Sequence, residues 1–308
     1  MTKIAAVSCT YHAEDVQWNR DKMAELVEKA AAEGVELISF PEESATGCGT
    51  RPMSEMFPPD KRSQVEHAEL VPEGPTTQFA IELAQKFDMY ISFGIAERDD
   101  QRWHLTHNCH VLVGPEGYIG KYRKVHLPLA ERLYHVPGSE WPVFDTRIGR
   151  IGLSTCYDIY FPEAARTLAL KGADIIVNPS CWPNMSQTEE DLEHQSWITM
   201  AAARALENTV FVVQASTCNP PEGPDVFEGH AQVYGPNPGQ LLARTGFEEG
   251  LAIADVDIKK EILDARTFSF GGGDLVRDRR PSCYGTLVAS NPHGFFSDGL
   301  IEAPEKFE

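Results

Sequence analysis

The chain has 308 residues, 42% of them hydrophobic, with 46 acidic against 27 basic side chains and a formal net charge of −19. Such a length buries a large core, and one α/β domain fits it better than two, because no long Pro/Ser/Gly linker interrupts it. The acidic balance argues against generic binding to nucleic acid or to an anionic membrane surface, since both need a basic face.

No apolar run is long enough to cross a bilayer. The start, Met1-Thr-Lys-Ile-Ala-Ala-Val, leads into a strand pattern and not into a signal peptide's apolar region. Seven cysteines, an odd number without paired short spacings, predict mostly free thiols, a reducing compartment and a cytoplasmic location.

In chain order, residues 4–8 read as a first strand. Residues 18–32 read as a helix, with Met23, Leu26, Val27, Ala30 and Ala31 on one face. The next strand, residues 35–40, runs into Pro41 and delivers Glu42 at its end. Residues 48–70, with Arg51, Met53, Met56 and Phe57, form either a pocket wall or a surface excursion or dimer contact. Phe79, Ala80, Leu83, Ala84 and Phe87 are spaced for a helix, and residues 90–95 return as strand. A strand around Val111 to Val113 and a Gly-Pro-Glu-Gly turn precede the basic segment Gly120-Lys-Tyr-Arg-Lys-Val-His-Leu-Pro128. Later strands are predicted at 151–155, 175–178, 210–215, 231–234 and 251–256, and helices at 162–171 and 195–208. The alternation implies a layered α/β architecture. No internal repeat or low-complexity segment interrupts it.

The chemistry concentrates at Thr155-Cys156-Tyr157, where a short apolar strand ends on a cysteine and a helix is predicted to follow directly. A thiol at such an elbow feels the positive helix end and meets unpaired backbone N–H groups. Both lower its pKa and supply oxyanion donors. Glu42 offers a base and the 120–124 segment a cation, the partners that an attacking thiol needs. His104, His107 and His110 match none of the usual zinc spacings, and strand residues alternate between faces, so no metal and no cofactor is expected. Arg204, Glu207 and Asn208 read as a structural polar network.

Phe40-Pro41-Glu42, Gly120-Lys-Tyr-Arg-Lys124-Val-His-Leu127 and Thr155-Cys156-Tyr-Asp-Ile-Tyr-Phe-Pro-Glu163 together resemble the three signature blocks of the nitrilase superfamily, the carbon-nitrogen hydrolases. The likeness extends to Asn108, Glu131, Asn178-Pro-Ser180, Arg204-Ala-Leu-Glu-Asn208, Gly229-His230 and Arg279-Arg-Pro281. The resemblance implies a four-layer αββα sandwich over residues 1–285, with residues 286–308 as a tail available for an oligomer contact. It implies a homodimer or larger homo-oligomer. It also implies a catalytic set: Cys156 as nucleophile, Glu42 as base, Lys124 as oxyanion cation together with the Tyr157 backbone N–H, and Glu131 as an orienting second glutamate.

Substrate is read from the departures. Sequences similar to nitrile hydrolysers carry Trp-Glu or Gly-Glu after the cysteine, whereas this chain has Tyr157-Asp158. The arginine that follows Tyr-Asp in ω-amidase-like sequences is replaced by Tyr160, which forms no ion pair with a substrate carboxylate. Tyr160, Trp182 and Asn184, joined by Trp103 or Trp141, predict a neutral, aromatic pocket. The expectation is an amidase acting on a small or aryl-bearing carboxamide. An N-carbamoyl amine or amino acid is the second substrate class and a nitrile the third; a thiol-dependent acyltransferase and a non-catalytic binding module complete the alternatives.

Overall fold

A computed structural model describes residues 1–13, 15–47, 65–182, 192–219, 227, 229–268, 273–288, 296–297 and 300–301. Asn184, residues 48–64 of the 48–70 segment and most of the 286–308 tail therefore lie outside the described residues.

One sheet is built around β1 (Thr2–Cys9), which pairs in parallel with β2 (Leu37–Ser39). From there it continues through β3 (Tyr90–Arg98) and β4 (Thr106–Gly114) to β5 (Gly117–Arg123). In a second sheet β6 (Val143–Thr146), β7 (Gly149–Leu153), β8 (Ile175–Val177) and β9 (Phe211–Gln214) lie side by side. A two-residue strand, β10 (Ser216–Thr217), pairs in parallel with the end of β1. The second sheet is completed by β11 (Gln232–Tyr234) and β12 (Leu241–Arg244), while β13 (Gly250–Val256) returns antiparallel to β1.

Three apolar clusters define the layers. Helices α1 (Val16–Ala32) and α2 (Pro75–Phe87) contribute Met23, Leu26, Val27, Ala80 and Leu83 to a core against the first sheet. Ile4, Leu37, Leu112, Ile151, Ile175 and Phe211 fill the space between the sheets. Helices α3 (Pro162–Leu170) and α4 (Leu192–Asn208) bring Ala165, Leu168, Ala201 and Ala205 onto the outer face of the second. The order is α, β, β, α, as the motif resemblance implied.

The basic segment takes a definite form, and one local expectation changes. The basic segment is a strand as far as Arg123, so its residues alternate between faces. Lys121 and Arg123 turn outward onto the buried carboxylate of Glu97, with Nζ–Oε1 at 2.5 Å and Nη2–Oε1 at 2.8 Å, while Tyr122 turns between the sheets. After Cys156 the chain makes a 3-10 turn, Cys156–Tyr160, and α3 begins only at Pro162, an imino acid suited to the first helical position.

Candidate active site

The parallel strands of both sheets deliver their carboxyl ends to one place, where ligands characteristically bind in open α/β folds. Glu42 follows β2, Cys156 follows β7 and Ser180 follows β8, while Lys124 follows β5. Close approach of backbone makes this convergence possible. A Cβ at Gly94 of β3 would stand 2.1 Å from Glu43 N and 2.7 Å from Glu42 C, so only glycine lets the Glu42 turn lie against the strand.

Glu42, Lys124 and Glu131 form a buried chain of charges. The Lys124 ammonium donates to Glu42 Oε1 at 2.6 Å and to Glu131 Oε2 at 2.8 Å. Asn108 Nδ2 donates to both carboxylates, at 2.7 and 2.8 Å, fixing them relative to each other. The second oxygen of Glu42 accepts the Cys181 backbone N–H at 2.9 Å, and the Cys156 thiol lies close enough for the two groups to act on each other electrostatically. Ser180 Oγ donates to Cys156 Sγ at 3.2 Å. Cys156 itself holds a left-handed backbone, φ 48°, and its N–H is used by Pro179 O at 2.8 Å. Tyr157 is the second residue of the following turn, so its N–H has no partner within that turn.

Burial dominates the electrostatics. It would raise Glu42's pKa, but Lys124, the thiol and the Cys181 N–H together hold that carboxyl below its ordinary range. Glu131 goes the other way, raised by burial and by Glu42 against the pull of Lys124. The thiol of Cys156 is raised, first by burial and then by the Glu42 charge, which outweigh Lys124 and Ser180. This corrects the expectation that the elbow lowers that pKa: no α-helix starts at Cys156, and its neighbour is an anion. Cys156 therefore rests as a thiol beside a carboxylate. Alkylation of Cys156 by iodoacetamide should therefore show no inflection through the ordinary thiol range near pH ~8.5. A rate that rises and then levels off with a midpoint near pH ~8.5, confined to a Cys156 adduct by peptide mapping, would contradict it.

Asp158 is a scaffold that sequence reasoning missed. Its fully buried carboxylate accepts the Tyr122 hydroxyl at 2.6 Å, Thr155 N at 2.9 Å and His126 N at 3.1 Å, with His126 Nδ1 at 2.8 Å. It thus ties the nucleophile turn to the Lys124 segment. Only its capping-box position, three residues after Thr155, announced this role. Ser180 was visible in Asn178-Pro-Ser180, but nothing local linked it to the thiol. Arg204 reaches from α4 to Ile159 O at 3.0 Å and Tyr160 O at 3.4 Å, and its Nη1 donates to Glu207 at 3.0 Å, so the polar network braces the same turn.

The aromatic residues divide. Trp182 packs with Cys156, Ile159 and Trp197, and half-exposed Tyr160 stacks on it at 5.3 Å and 10°. Trp141 instead packs on Tyr122 and His126, and Trp103 is 73% exposed on the β3–β4 loop, so neither joins this wall. His107 and His110 leave β4 on opposite faces, to Asp99 and to Ser92. Cysteines 9, 109, 156, 218 and 283 are free, whereas Cys181 is disulfide-bonded, a pairing absent from the cysteine spacing.

The four-layer sandwich thus brings a buried cysteine, two carboxylates and a lysine together at its strand ends. The carbon-nitrogen hydrolase family model matches residues 3–263, and the chain belongs to that family, within the nitrilase superfamily. Its members act on carbon-nitrogen bonds other than peptide bonds. A protein named nitrilase from Pyrococcus abyssi is 33% identical over 289 residues, covering 92% of this chain and 99% of its own. Human omega-amidase NIT2 is 31% identical over 252 residues, 79% of this chain and 84% of its own. Among solved structures, Saccharomyces cerevisiae Nit3 aligns with a TM-score of 0.76 at 27% identity, over 87% of this chain and 94% of that one. The amidase from Nesterenkonia sp. AN1 aligns with a TM-score of 0.72 at 24% identity, over 94% and 100%, and shares the fold.

Proposed function

We propose that the chain hydrolyses a small carboxamide through a thioester on Cys156, with Glu42 as the base, releasing ammonia and a carboxylic acid. The observation that carries this reading is the single buried carboxylate, Glu42, held by the Lys124 ammonium at 2.6 Å and close enough to the Cys156 thiol for its charge to act on it. In the first half the thiol proton passes to Glu42 as Sγ bonds to the amide carbon. Glu42 then gives that proton to the nitrogen as the C–N bond breaks. In the second half Glu42 takes a proton from water as its oxygen attacks the thioester, and the proton returns to Sγ as the C–S bond breaks.

The ammonium of Lys124 has three N–H bonds and spends two on the carboxylates, leaving one for the oxyanion beside the Tyr157 backbone N–H. One such donor is worth about 3 to 4 kcal/mol in the transition state. Glu131 keeps Lys124 in place and is a positioning residue. Tyr160 and Trp182 supply a flat apolar wall for the acyl group, which favours an aryl or alkyl carboxamide over a charged one. The relatives named omega-amidase and nitrilase support carboxamide or nitrile chemistry, and the Tyr157-Asp158 pair favours the amide. A homodimer or larger assembly goes with this reading.

The test is ammonia release and product identity from a panel of primary carboxamides, N-carbamoyl compounds and nitriles, with Cys156→Ala alongside. Wild-type-only turnover of carboxamides is expected. Exclusive turnover of the carbamoyl or nitrile class would reassign the substrate, and hydroxamate formation in place of acid would indicate acyl transfer.

A further inference from the structure

Next to the base lies a second buried carboxylate that the chemistry above does not use. Glu43 is 3% exposed and sits in the left-handed region at φ 47°, uncommon for a residue with a Cβ. Its Oε1 lies 2.9 Å from Nε2 of His135, whose side chain is fully buried. The other ring nitrogen, Nδ1, lies 2.8 Å from Thr106 Oγ1, and that hydroxyl donates to Tyr134 O at 2.9 Å.

These contacts can be counted in protons. Threonine has one hydroxyl hydrogen, and a backbone carbonyl only accepts. With that hydrogen given to Tyr134 O, Nδ1 must carry a hydrogen to donate to Oγ1. Nε2 faces a carboxylate, so the Nε2–Oε1 contact needs a hydrogen as well. All three contacts are satisfied only if the pair holds one proton beyond neutral histidine and ionised glutamate: an imidazolium against a carboxylate, neutral as a whole.

The pair is joined to the reacting groups on both sides. Glu43 follows Glu42 directly, and its carbonyl accepts Thr46 N at 3.1 Å and Gly47 N at 2.6 Å, closing the turn that aims Glu42. His135 N donates to Glu131 O at 2.9 Å, at the end of the 3-10 segment Leu129–Leu133 that carries Glu131. The charged and titratable groups around the ring are Glu43, Glu131 and, at longer range, Glu42 and Lys124, with the Tyr134 ring edge-on at 4.8 Å.

We propose that Glu43 and His135 form a one-proton clamp that positions Glu42 and Glu131 relative to each other. Neither residue touches the reacting atoms. This rests on Glu42 and Glu131 having the roles given above. The clamp holds the Glu42 turn against the Glu131 turn with a directional hydrogen bond, and its paired charges add no net charge beside the Glu42–Lys124–Glu131 chain.

Glutamine at position 43 separates geometry from charge. Its amide N–H donates to Nε2 while Nδ1–H still donates to Thr106, so every contact survives with one proton fewer. Ring nitrogen NMR of uniformly 15N-labelled full-length protein reads this directly. From the hydrogen-bond count above, His135 of the wild type should show two protonated nitrogens. In Glu43→Gln it should show only Nδ1–H. With a turned-over carboxamide, Glu43→Gln should keep kcat within about threefold, whereas Glu43→Ala and His135→Ala should lose about ten- to a hundredfold in kcat with KM within about twofold, the scale of a small misplacement. A singly protonated His135 in the wild type would overturn the clamp, and so would wild-type kcat in Glu43→Ala. Should the alanine variants not fold, the glutamine variant and the wild-type spectrum decide. Absence of turnover in the wild type would count against the amidase reading and leave the NMR result to decide the pair.

Discussion

Glu42→Gln is expected to leave the protein folded and to lower carboxamide turnover by roughly 10²- to 10⁴-fold, the range of a lost general base. The carbonyl of the new amide can accept from Lys124 and Asn108 where Oε1 did. Its NH2 then faces the Cys181 N–H, a donor against a donor, which costs about 1 to 3 kcal/mol of stability. Chemistry suffers far more, because nothing remains to take the proton of a thiol whose own pKa is raised by burial. One carboxylate serves both halves, so acylation and thioester hydrolysis should slow together and no acyl-enzyme should accumulate. Stopped assays with urea unfolding curves separate the two effects; turnover within tenfold of wild type would remove Glu42 from the mechanism. The depressed pKa of Glu42 also sets a sign. The base is ionised above its folded pKa, so the acid limb of kcat/KM should fall below the ordinary glutamate value of about 4.3.

Lys124→Met should have the largest effect on stability. Lys124 is 1% exposed and is hydrogen-bonded to both carboxylates, so methionine leaves Glu42 and Glu131 buried beside each other without a cation. Breaking a buried pair in this way costs about 3 to 5 kcal/mol. The loss should depend on pH. In the variant both carboxyls have folded pKa values raised above their unfolded ones, so the penalty is full at neutral pH and shrinks as protonation relieves it on acidification. Urea midpoints at about pH 7 and pH 5 should show wild type and variant converging at the lower pH. A constant difference would mean that the cation is not balancing these carboxylates.

The reach of sequence reasoning is clear from particular residues. Strands and helices with strong periodicity fell where expected, as with residues 18–32 in α1 and residues 251–256 in β13. The helix expected from Phe79 begins at Pro75, because Pro75-Thr-Thr carries no apolar period even though Thr76 and Thr77 are buried. That Glu42, Lys124, Glu131 and Cys156 come together was legible because the segments carrying them resemble a family's. The thiol's pKa was not, since its direction is set by burial and then by a carboxylate from the other sheet. The same limit hid Asp158, Ser180 and the Glu43–His135 pair, whose partners come from distant segments. Among the aromatic residues, Trp141 and Trp103 shared Trp182's chemistry but not its place, which only packing decides.

The most direct test of the account is intact-mass analysis of enzyme quenched during turnover of a primary carboxamide. The account predicts an adduct of the acyl mass on wild type, mapped to Cys156 and absent from Cys156→Ala, with ammonia appearing no later than the acid. Ammonia release by Cys156→Ala at the wild-type rate, with no adduct on either protein, would contradict it.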